Sequence, residues 1–164
     1  MMTISDEGTK LLQSIEKLAL TPYDDQTGQP TSCWVKGATI GYGHLICQAD
    51  WPIYQAGITE EAADRLFLDD LKPFIRAINT RVTSKMEQHE FDALVILTFN
   101  IGTGNFASSS VLKLVNDPNA HTAYPDLEAA WKAWNKSQGK VSNGLIHRRA
   151  AEWDIYCRCS YHTW

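Results

Sequence analysis

The sequence predicts an α+β fold, predominantly α, with a small N-terminal β-sheet lobe followed by a helical C-terminal lobe. Between Tyr23 and Ile46, glycines (Gly28, Gly37, Gly41, Gly43) recur among β-forming residues, the pattern of a small twisted sheet with tight turns. After Gly57 the apolar residues repeat at helical spacing. The 164 residues allow one domain, 1–164, divided at about 1–57 and 58–164. A composition 44% hydrophobic and 21% charged excludes disordered, collagenous and rod-like chains.

Each element has a local reason. Thr3 and Asp6 have capping-box spacing, and Leu11, Leu12, Ile15 and Leu18 form one apolar stripe, so a helix is expected over 3–18. Pro22 ends it and biases Thr21 toward extended geometry. Pro30 and the polar run 26–32 predict a hairpin loop. Thr59 is a natural N-cap, with Glu60 and Glu61 in the favourable first turn of the next helix. Ser84 and Glu87 form a second capping box, ahead of a stretch over 91–99 that is apolar nearly all round and so belongs to a buried central helix. Two further helices are expected over 105–116 and 126–134, separated by the Asp117-Pro118-Asn119 turn. Gly144 precedes a last helix carrying Arg148, Arg149 and Glu152.

The net charge of −4 argues against a strongly basic nucleic-acid binder. The charge is uneven. Residues 131–164 hold six basic side chains (Lys132, Lys136, Lys140, Arg148, Arg149, Arg158) against Glu152 and Asp154. Such a basic end suits either a polyanion such as bacterial cell wall or a plain solvated helix face. No apolar run reaches the roughly 18 residues of a membrane helix, so no membrane insertion is expected. The first residues carry no basic-then-apolar pattern, so no secretory signal is expected and the chain is read as cytoplasmic. Cys33, Cys47, Cys157 and Cys159 are too few for a disulfide scaffold and lack zinc-ligand spacing; free, partly buried thiols are expected, with no metal and no cofactor.

For chemistry, the candidates are two carboxylates. Glu16 lies near the end of the first helix and Asp25 nine positions on, past the helix-breaking proline. A helix end, a turn and a strand start can set two carboxylates against one bond, as glycoside hydrolysis requires: one protonated to donate to the leaving oxygen, one ionised. Two solvated surface acids would give the same spacing.

The wider context is more specific. Ile15-Glu16, Tyr23-Asp24-Asp25 and Thr39-Ile40-Gly41-Tyr42-Gly43-His44 together resemble the phage lysozymes, muramidases of the endolysin type (glycoside hydrolase family 24). Similarity continues through Ile58-Thr59 to Asp70, through Phe91 to Val95, through Phe99 to Gly104, and through Gly144 to Glu152, so it covers about residues 10–156. The resemblance implies a lysozyme-like two-lobe fold. It also implies hydrolysis of the β-1,4 bond between N-acetylmuramic acid and N-acetylglucosamine in peptidoglycan, with inversion. Glu16 would be the acid, Asp25 the base or electrostatic partner, and Thr39 the residue holding the water. Gly41, Asn100 and Gly102 would touch the glycan; turn geometry accounts equally well for Gly41, and a helix end for Asn100 and Gly102. His44 is expected in a structural ion pair with an acid such as Asp70, and Trp131 and Trp134 are read as core. Arg148 and Arg149 are left between contact with the wall peptide and helix capping.

Two departures bear on the assignment. Lys17 stands where the family usually has glycine, and Glu7-Gly8 lies too far from Asp25 to replace Glu16. Fourteen positions separate Asp25 from Thr39, where the family commonly has six. Thr31 meets the short spacing but lacks the Ile-Gly-Tyr-Gly-His run; Thr39 is preferred, with the extra residues as a lengthened loop. The resemblance further implies a monomer, retained in the host cytoplasm until a separate holin admits it to the periplasm, causing lysis. A catalytically silent wall-binding domain and a muramidase toxin are the competing readings.

Overall fold

The computed structural model describes residues 1–164. In chain order the elements are α1 (Asp6–Ile15), β1 (Ala19–Asp24), β2 (Ala38–Gly41), β3 (His44–Leu45), a 3₁₀ turn (Gln48–Asp50), α2 (Trp51–Tyr54), α3 (Glu60–Arg81), α4 (Gln88–Ile101), α5 (Thr103–Ala107), α6 (Ser110–Asn116), α7 (Leu127–Lys132), β4 (Lys136–Ser137), β5 (Lys140–Val141) and α8 (Asn143–Arg158). The expected α+β class, predominantly α, is what the chain adopts. Its contacts group into two compact units, residues 13–72 and residues 1–12 with 73–164. Pro73 lies inside α3, where it removes the N–H that would reach the Asp69 carbonyl.

In the unit of residues 13–72, β1, β2 and β3 form an antiparallel sheet in that order. Tyr23 pairs with Thr39, Asp24 with Ala38, and Ile40 with His44. Pro22 does not end a helix, as expected, but sits within β1. It is tolerated there because β1 is an edge strand with a register shift between Ala19 and Tyr23, so no ladder donor is lost. One sheet face buries Ala38, Ile40 and Ile46 against Trp34, Trp51, Ile58 and Leu66. The hairpin loop forms as expected: Asp24 N–H bonds the Gln29 carbonyl at 2.9 Å, and a bridge joins Tyr23 to Pro30. His44 Nδ1 pairs with Asp70 at 2.8 Å, the anticipated ion pair. Thr59 caps α3, its hydroxyl accepting the Ala62 N–H at 3.1 Å.

The other unit is built around α4, whose residues Phe91 and Ala93 through Leu97 are fully buried. Several caps differ from expectation. Ser5, not Thr3, caps α1, accepting the Gly8 N–H at 3.0 Å; Ser5 Oγ in turn donates to Asp92. The box at α4 is Glu87 with Glu90, while Ser84 donates to the Val115 carbonyl instead. The helix expected over 105–116 is two helices, because Ser109 leaves the helical conformation to cap α6 through the Leu112 N–H. The helix expected to reach Trp134 stops at Lys132. The four cysteines are free and exposed rather than partly buried.

Arg148 and Arg149 neither cap helix ends nor face solvent. They are 6% and 1% exposed and share the fully buried Glu152, at 2.9 Å from Arg148 Nε and 2.7 Å from Arg149 Nη1. Arg148 also donates to the Ile96 carbonyl and Arg149 to the Trp134 carbonyl. Trp131 is fully buried, as read from the sequence, and donates to Glu152 Oε1. The basic excess of the C-terminal stretch is therefore partly internal, which weakens its reading as a polyanion surface.

The C-terminal segment is held to this unit by polar contacts. Tyr161 donates to Asp92 at 2.6 Å, and His162 bonds Asp154 through Nε2 and the Thr163 carbonyl through Nδ1. Donation from both nitrogens needs the imidazolium, so the Asp154 bond first and the Thr163 bond second raise the His162 pKa above 6.5. The sign follows: this contribution to stability is complete below the ordinary histidine value and fades as pH rises through the raised one. An NMR titration should place the His162 midpoint above 6.5, and Asp154→Asn should return it toward that value. A wild-type midpoint at or below 6.5 would contradict the pairing.

Candidate active site

Within residues 13–72 Glu16 lies at the β2–β3 turn, while Asp25 and Thr39 meet at the Gly37 carbonyl just before β2. Helix α1 ends at Ile15, so Glu16 is the first residue beyond it rather than a member of a longer helix. Its half-buried side chain extends to the β2–β3 turn, where the carboxylate lies 3.6 Å from the place a Cβ on Gly43 would occupy. Gly43 takes φ +83° in that turn, a left-handed conformation that glycine adopts without strain.

Asp25 follows β1 directly and is exposed. Its backbone N–H donates to the Gly37 carbonyl at 3.0 Å. Thr39, in β2, is 3% exposed and donates its hydroxyl to the same carbonyl at 2.9 Å. Both its remaining lone pairs can accept from water. Thr31 has a different environment. Its hydroxyl closes a local turn with the Cys33 carbonyl at 2.6 Å, among exposed loop residues.

Tyr23 was not singled out from the sequence. It stands directly across from Thr39 in the sheet, two residues before Asp25, and so shares a strand face with both. Burial pushes its phenol above 10.0; the negative charges of Asp25 and then Glu16 push it the same way. One hydroxyl therefore feels both carboxylates. The signal was available in the period-2 alternation of Tyr23 and Asp25, but the cross-strand pairing with Thr39 was not.

The remaining candidates are placed as follows. Gly41 is buried with φ +68°, facing Leu66, Ala63 and Ile58, so its environment is that of a packed turn. Asn100 and Gly102 belong to the unit of residues 1–12 and 73–164. Asn100 Oδ1 accepts from Arg149 Nη2, and Gly102 ends α4 with φ +91°, its N–H on the Thr98 carbonyl at 2.8 Å. Lys17 is exposed and, with Thr21, Tyr23 and Pro30, lines a cavity of about 320 Å³.

Comparison with known proteins places this arrangement in a family. The chain is 37% identical to the endolysin of Bacillus phage PZA over 94% of its own length and 55% of that protein's. It thus spans about half the length of the Bacillus phage relatives it matches. It is 35% identical to the endolysin of Salmonella phage P22, covering 93% of this chain and 96% of that one. Among solved structures, the endolysin of Escherichia coli O157:H7 phage FAHEc1 superimposes with a TM-score of 0.77 at 31% identity, covering 99% and 98% of the two chains. The phage lysozyme family model matches residues 13–152, which takes in the carboxylates, the sheet and α8 as far as Glu152, and the chain belongs to the phage lysozyme family.

Proposed function

We propose that this protein is an endolysin that hydrolyses the β-1,4 bond between N-acetylmuramic acid and N-acetylglucosamine in peptidoglycan. The reading is supported most by the convergence of Asp25 and Thr39 on one carbonyl while Tyr23 senses both Asp25 and Glu16. In this mechanism Glu16 donates a proton to the leaving oxygen. Asp25 stays ionised and draws a proton from water, or faces the positive charge that develops on the ring. The Thr39 hydroxyl, fixed by its bond to Gly37, accepts a hydrogen bond from that water. Attack from the opposite face inverts the anomeric carbon.

Asn100 and Gly102 are proposed as glycan contacts, and Gly41 as a turn residue that shapes the sheet end near Glu16. We further propose that the protein works as a monomer in lysis of a phage host, with a separate holin passing it from cytoplasm to periplasm. Its likeness to phage endolysins supports that setting.

Release of reducing ends from purified peptidoglycan tests the activity directly. A folded wild type that binds wall but releases no reducing ends would make it a binding domain and overturn the proposal. The choice of threonine has its own test. Thr39→Val should lower the rate by roughly tenfold or more through lost water positioning, and Thr39→Ser should restore most of it. Thr31→Val should stay within about twofold of wild type, because its hydroxyl serves a loop turn. The reverse order would transfer the role to Thr31.

A further inference from the structure

We infer that Gly37 is a positioning residue, which sets the Asp25 carboxylate and the Thr39 hydroxyl in a single geometry. This rests on the reading of Asp25 and Thr39 as the pair that handles water. Two independent features of Gly37 carry it.

The first is its carbonyl. Gly37 is buried, and its oxygen accepts both the Asp25 N–H at 3.0 Å and the Thr39 Oγ1 hydrogen at 2.9 Å. A carbonyl has two lone pairs, and here each holds one of the two functional residues. Asp25 follows β1 and Thr39 lies in β2, so this one atom ties the Asp25 backbone to the Thr39 side chain.

The second is its missing side chain. A Cβ at Gly37 would sit 2.2 Å from Asp25 Oδ1, 3.2 Å from Asp25 Cγ and 2.7 Å from Asp24 Oδ1. The first and third separations are well below van der Waals contact. Gly37 is not among the positive-φ glycines, so its backbone conformation is open to any residue. The space a Cβ would take is occupied by the Asp25 carboxylate, which must shift to admit it. Asp24 Oδ1, which accepts the Gln26 N–H at 3.0 Å, must give way too, though by less than the Asp25 carboxylate. A methyl group at position 37 therefore displaces the Asp25 carboxylate most and Asp24 Oδ1 less, while leaving both bonds to the carbonyl intact.

Displacing a reacting group by about 1 Å costs up to roughly a hundredfold in rate. Gly37→Ala should accordingly lower kcat by about tenfold to a hundredfold, with KM within about twofold. The informative comparison is with Asp25→Ala. If Gly37 acts through the Asp25 carboxylate, the double variant Gly37→Ala/Asp25→Ala is no slower than Asp25→Ala alone. A crystal structure of Gly37→Ala should show the Asp25 carboxylate moved, with the Thr39 bond to residue 37 kept. Activity of Gly37→Ala within threefold of wild type, multiplying rate losses in the double variant, or an unmoved carboxylate would each overturn the inference. If Gly37→Ala does not fold, recovery of folding in the double variant identifies the Asp25 carboxylate as the obstacle and supports it; an unfolded double variant overturns it. Failure of the catalytic reading shows separately, as a wild type without activity or an Asp25→Ala variant at full rate, and the crystal structure reads the displacement in either case.

Discussion

If Glu16 is the proposed acid, Glu16→Gln is expected to lower glycan cleavage by at least about a hundredfold, some 2.7 kcal/mol of transition-state stabilisation, with the fold unchanged. Glutamine has nearly the shape of glutamate but no proton to give to a leaving oxygen. Glu16 lies just past the end of α1, half-buried, and the exchange keeps its size and shape. Thermal unfolding should therefore coincide with wild type. Reducing-end release from peptidoglycan measures the rate, and a variant that keeps more than about a tenth of it would remove Glu16 from the role of acid.

The largest effect on stability is expected at Glu152. Its carboxylate is fully buried and is the counter-charge of two guanidiniums that are themselves almost fully buried. Burial already pulls the Arg149 pKa below its ordinary value, and Glu152 is the main influence opposing that. Arg148 has a further contact, lying 4.9 Å over the Trp164 ring, but this cannot replace an anion. Glu152→Ala leaves two like charges close together without compensation, and also strips the Trp131 N–H of its acceptor. Breaking a buried pair in this way costs about 3–5 kcal/mol. Denaturant unfolding measures it, and a loss below about 1 kcal/mol would mean that water reaches the arginines.

These two residues were legible to different degrees. Glu16 and Asp25 stand out because the chemistry requires two carboxylates and the Thr39–His44 run supplies a context for them. Glu152 is visible in the sequence only as part of a basic helix, and its arginines are left between contact with the wall peptide and helix capping, since charge on a helix gives no hint of burial. The caps show the same limit at smaller scale. Ser84 and Glu87 satisfy a spacing rule, yet Ser84 is drawn to the Val115 carbonyl by a contact between segments far apart in the chain. At Ser109, one cap divides a periodic stretch that reads as a single helix.

The sequence by itself determined the α+β class, the buried helix at 91–99 and the His44–Asp70 pair, and it supplied the two carboxylates proposed here as acid and base. Those features follow from periodicity, from residue chemistry and from motifs contained in short runs. Only the tertiary structure decided that Tyr23 faces Thr39 across the sheet, that Glu152 and its two arginines are buried, and that Gly37 gathers Asp25 and Thr39 on one oxygen. Each of these depends on strand register or on helix packing, which are set through space and not by spacing along the chain.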